Sequence, residues 1–98
     1  MPSPIRETYA IPHKAILPVV ARAIQQLDEI FLSYSGPSGV GLVREIYKQW
    51  IQAGKTGPSA LRRYVYALRA QLASSDDQRQ FNEEAEYLLL QLRSGFVN

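Results

Sequence analysis

Arg62, Tyr66 and Arg69 stand four and three residues apart, the interval that puts side chains on one line along a helix. Arg63 widens that line, Lys55 precedes it in "GKTGPSALRRYVYALR" (residues 54–69), and Lys48 lies just upstream. A guanidinium is a planar fork that matches a phosphate or the edge of guanine, and a tyrosine adds a stacking face or a hydroxyl for a phosphate oxygen. The chemistry on offer is anion recognition, with Lys48, Lys55, Arg62, Arg63, Tyr66 and Arg69 as candidate nucleic-acid contacts.

Bond-making chemistry has less to draw on. His13 is the single histidine and cysteine is absent, so imidazoles and thiolates cannot assemble a metal site. The acids of "SSDDQRQFNEEAE" (residues 74–86) lack the spacing and the sharp-turn glycine of a calcium loop. Neither "GPSGVG" (residues 36–41) nor "GKT" (residues 54–56) has the spacing and preceding strand of a phosphate-cradling loop. No motif pairs a serine with a base. The expectation is a binding protein, not an enzyme, with no cofactor.

Charge is sorted along the chain. The net charge of +2 over 98 residues hides a neutral first part, with three basic and three acidic residues in 1–43. Residues 44–72 hold six basic side chains against Glu45 alone, a balance of +5, and residues 73–98 hold two against five acids, a balance of −3. Sorted charge produces a directional field that steers an anionic partner. The longest apolar run, "AILPVVA", is far short of the about 20 residues needed to span a bilayer. "MPSPIRETYA" has neither the basic start nor the apolar stretch of a signal peptide. A soluble, cytoplasmic protein with no membrane role is expected.

The elements that must position the basic line follow from apolar spacing. Residues 1–12 carry Pro2, Pro4 and Pro12 and read as an extended arm; residues 13–98 read as one helical domain. Ile16, Val20, Ala23, Leu27, Ile30 and Tyr34 recur at fours and threes, with Leu17, Ile24 and Phe31 beside them. Pro18 predicts a helix that starts there or kinks there. "YSGPSG" breaks the chain, and Ser38 is placed to cap a second helix bearing Val43, Ile46, Tyr47, Trp50 and Ile51. Gly54 suits its left-handed end. A third helix from Pro58 or Ser59 buries Leu61, Val65, Leu68 and Leu72, with Tyr64 on the flank and the basic stripe opposite the core. A fourth opens with Ser75 as cap, Gln78 three residues on, and Asp76 and Asp77 in its first turn. It turns Phe81, Ala85, Leu88, Leu89 and Leu92 inward and ends at Gly95. No segment alternates at period two. The fold class is all-α, a compact four-helix domain whose second and third helices are helix-turn-helix-like.

In that layout a helix, a glycine-containing turn and a basic helix follow one another, and the second helix enters the major groove of DNA. The stretch "LVREIYKQWIQAGKTGPSALRRYVYALRAQL" (residues 42–72) resembles the DNA-binding units of insertion-sequence transposases. The resemblance covers about a third of the chain and implies Gly54 as the turn glycine, Ser59 near the cap and Leu61 in the core. It also implies Arg62 and Arg63 facing DNA, Tyr64 partly buried and Arg69 on a backbone phosphate. Other readings stay open: a solvated basic face neutralised by the acidic fourth helix, or an acidic protein partner. The chain would then be a helical protein-interaction module, such as an adaptor, an immunity protein or a secretion chaperone. Three consecutive leucines, Leu88–Leu90, cannot all face one core, which points to a homodimer as a further option.

Overall fold

Pro18 opens the first helix. In the computed structural model, which describes residues 16–97 and side chains as far as residue 92, Leu17 is extended (φ −63°, ψ 143°) and Pro18 takes the first helical position. There its missing N–H costs nothing and its fixed φ is already helical. Of the two options at Pro18, a start rather than a kink is realised. The N-terminal arm and His13 lie outside the described residues. Helix α1 spans Pro18–Ser35, and α2 Val40–Gln52. Helix α3 spans Leu61–Arg69, and α4 Ser75–Val97. There is no strand among the described residues, which form the compact all-α four-helix domain expected. No helix among them is long and apolar enough to cross a membrane.

The ends differ from expectation where several small residues compete for one role. Gly36 ends α1 at φ 78°, a region that favours glycine. Pro37–Gly39 then forms a 3-10 turn, so α2 is preceded by Gly39 and not capped by Ser38, whose hydroxyl points back to the Ser35 carbonyl at 3.5 Å. Gly54 takes φ 87° past the end of α2, as expected. A second 3-10 turn, Pro58–Ala60, leads into α3, and Ser59 supplies no side-chain cap. At α4 the cap is Ser74 rather than Ser75: its Oγ accepts the Asp77 N–H at 3.3 Å. Gln78 turns backwards and donates to the Leu72 carbonyl at 2.6 Å. Gly95 does not stop α4, which runs on to Val97.

One core passes through all four helices. Val20, Leu27, Phe31, Leu61, Tyr64, Leu68 and Phe81 are fully buried. Phe31 and Phe81 meet edge to face with centroids 6.2 Å apart, joining α1 to α4. Helix α3 lies against α1, α4 and α2, and Trp50 fixes the last of these contacts. Its indole N–H donates to the Ala60 carbonyl at 2.9 Å, and its ring meets Tyr64 at 5.7 Å. Leu17, placed beside the apolar face of α1 by its spacing, is exposed. Of the leucine triplet, Leu89 is buried, Leu88 half-buried and Leu90 exposed.

Gly39 lies close against the end of α1. A Cβ there would lie 2.1 Å from Ser35 Oγ and 3.1 Å from the Phe31 ring. The hydroxyl can rotate away, but the Ser35 Cβ at 2.9 Å is fixed by its backbone and the ring is held in the core. Gly39→Ala is therefore expected to cost about 1–3 kcal/mol, read as a lower urea midpoint with an unchanged slope.

Candidate nucleic-acid interface

The line through Arg62, Tyr66 and Arg69 exists, but it is not opposite the core. At about 100° per residue, Leu61, Tyr64, Val65 and Leu68 define the buried direction of α3, and Arg62 and Arg69 lie roughly 90–110° from it. That is the flank on which α4 packs. Arg62 accordingly pairs with Glu86 at 2.6 Å, and Arg69 donates to Asn82 Oδ1 at 3.4 Å while its guanidinium sits 5.0 Å from the Tyr66 ring centre. Tyr66 and Arg63 lie roughly 150° from the core direction, one on either side. They are the outermost pair: Tyr66 is 64% exposed, and Arg63 is exposed and donates to the Lys55 carbonyl at 3.1 Å. The last bond ties the turn to α3 and brings Lys55 beside Arg63.

The acids of α4 are mostly spent elsewhere. Arg79 holds Asp76 at 3.5 Å and Glu83 at 3.8 Å within the helix itself. Glu84 accepts the Tyr34 hydroxyl from α1, and that hydrogen bond pushes the Tyr34 phenol up to about 12. Only Glu86 reaches α3 among the ion pairs of the described residues. Lys48, Lys55 and Arg63 are exposed and paired with no described carboxylate. The structure thus separates the six candidates. Lys55 and Arg63 gather where the turn meets α3, and Tyr66 stands exposed beside Arg69 further along the helix. Lys48 stands exposed on α2, and Arg62 and Arg69 are half-engaged by α4. Residues 53–60 separate α2 from α3, a longer connection than a tight three- or four-residue turn.

Glu86 is one of the acids through which the fourth helix is expected to neutralise the basic face, and it does so for Arg62 alone; Asn82 carries no signal in the sequence. α3 and α4 are joined by the short connection at residues 70–74. Arg69 immediately precedes that connection whereas Asn82 lies about two turns beyond it, so distance from the connection does not foretell which positions meet. Tyr64 carries the larger surprise. Placed on the flank by its spacing, it is fully buried and its hydroxyl donates to Asp28 Oδ1 at 2.5 Å.

That bond locks the inner side of α3 to α1 and sets a pH dependence. Burial pushes the Asp28 carboxyl from 3.8 up to about 6, against the lowering effect of the Tyr64 hydroxyl and with a smaller push from Glu29. The folded state therefore binds the Asp28 proton more tightly than the unfolded chain. This contribution to stability is complete below about pH 4 and is lost as pH rises through about 6. A two-unit shift corresponds to about 3 kcal/mol; partial solvent access reduces this to about 1–2 kcal/mol. Asp28→Asn, which keeps an acceptor for Tyr64, is expected to stabilise the domain by that amount at about pH 7 and by nothing at about pH 4. Urea unfolding of both proteins at the two pH values checks it; equal differences at both would remove Asp28 as the cause.

Among the described residues, no three histidine, cysteine or acidic side chains gather as a metal set. Comparison with known protein families, curated proteins and solved structures finds no match, so the functional reading rests on this geometry.

Proposed function

We propose that this chain is a small DNA-binding domain in which the α2–turn–α3 segment, a helix-turn-helix-like unit, engages the duplex. One observation supports it above the others: the acids of α4 leave the basic part uncovered, with Glu86 alone reaching across. Lys48, Lys55 and Arg63 supply the primary phosphate contacts. Tyr66 stacks or donates to a phosphate, and Arg62 and Arg69 join at the α4 flank. Three to five phosphate contacts make binding steeply salt-dependent, because each neutralised phosphate releases condensed counterions. For about four contacts, affinity for random duplex DNA is expected to fall about a hundredfold between about 50 and 200 mM salt. A gel-shift titration at the two salt concentrations tests the reading. No retention at low salt, or retention indifferent to salt, overturns it.

A protein-interaction reading has its own support on α4, where Tyr87 is 66% and Leu90 57% exposed. Apolar side chains left bare on one helix suit a partner chain or a second copy of this one. A concentration-dependent mass in sedimentation equilibrium, together with absent DNA retention, would favour this second reading.

A further inference from the structure

Helices α1 and α2 are consecutive, yet they stay apart. α2 is drawn to α3 through Trp50, and between α1 and α2 opens a groove of about 590 Å³. That volume is within the roughly 300–1,000 Å³ typical of small-molecule sites. The floor includes Ile24 and Val43, and each wall brings one guanidinium, Arg22 from α1 and Arg44 from α2. Both arginines are exposed, and neither is paired with a described carboxylate. Asp28 also borders the groove, its Oδ1 accepting the Tyr64 hydroxyl; one carboxylate against two guanidiniums leaves the groove net positive. Two unpaired cations flanking an apolar floor match an apolar body with a negative head, since a guanidinium binds such a head through paired N–H bonds.

We infer that the α1–α2 groove binds a small amphipathic anion, its body on Ile24 and Val43 and its head between Arg22 and Arg44. The ligand bridges two helices that otherwise lack a shared seam. Arg63, Lys55 and Lys48 do not line this groove, so its occupancy and DNA retention are separable measurements.

Decanoate, kept below its micellar range, is the probe; decanol tests the head and acetate the body. Followed by backbone amide shifts, decanoate is expected to saturate a site at Ile24, Val43 and Tyr47, with decanol and acetate each about tenfold weaker or more. The double variant Arg22→Ala/Arg44→Ala, altered only at exposed positions, is expected to lose about tenfold in decanoate affinity while decanol binding is unchanged. Equal binding of decanol and decanoate would overturn the inference. So would shifts centred on Tyr87 and Leu88 of α4, or a double variant that binds decanoate as the parent does.

Discussion

Tyr64→Ala is expected to remove a large share of the stability of this domain. The side chain is fully buried, meets Trp50 edge to face and donates to Asp28. Truncating a buried aromatic costs about 3–5 kcal/mol through lost transfer energy and the cavity left behind. Here the same change strips the Asp28 carboxyl of its donor. Against a total of about 5–15 kcal/mol for a small domain, such a loss is a large share of the whole. Tyr64→Phe separates the two causes. It keeps the ring and gives up only the hydroxyl, at a cost of about 1–2 kcal/mol, and it moves the Asp28 carboxyl still higher because the hydroxyl was lowering it. Chemical denaturation gives both numbers. If the alanine variant lost no more than the phenylalanine variant, the ring would not be the keystone inferred from its burial.

Opposite changes in DNA affinity are expected from the two ends of the proposed interface. Replacing Lys48, Lys55 and Arg63 together by glutamine removes three exposed cations from it. Affinity at low salt should fall about a hundredfold and the salt slope should flatten by about three. Glu86→Gln should act the other way, releasing Arg62 from the 2.6 Å pair. Because that pair is largely exposed it contributes about 1 kcal/mol or less, so the gain is bounded at about fivefold. Neither variant touches the core, and circular dichroism should be unchanged in both. A triple variant that binds as tightly as the parent would move the interface off α3; an inert Glu86→Gln would mean that Arg62 takes no part.

Spacing alone carried the fold a long way. Leu61, Val65, Leu68 and Leu72 line the buried side of α3 and its exit, and Gly54 sits in the left-handed conformation expected of it. What spacing withheld was lateral. A four-three-four stripe says which residues share a line, but not which neighbour packs on either side of the buried arc, so it points Arg62 and Arg69 at open solvent although α4 occupies that flank. Tyr64 reads as a flanking residue for a related reason: its partner Asp28 is 36 residues away in sequence, and nothing local foretells the meeting. At helix ends the ambiguity is chemical. Ser74 and Ser75 are equally able to cap, and the choice between them rests on where the chain leaves Leu72. Gly95 reads as a terminator, yet a glycine ends a helix only when the backbone has reason to turn.

The single tryptophan occupies an instructive place. Trp50 is 4% exposed and tethered by its indole to the backbone just before α3, while its own helix has no comparable hold on α1. Intrinsic emission from this protein is therefore a gauge of one hinge. Should α2 swing outward while the remaining three helices hold, the spectrum would shift to the red before helicity fell, making the outermost element visible in isolation from the rest of the fold.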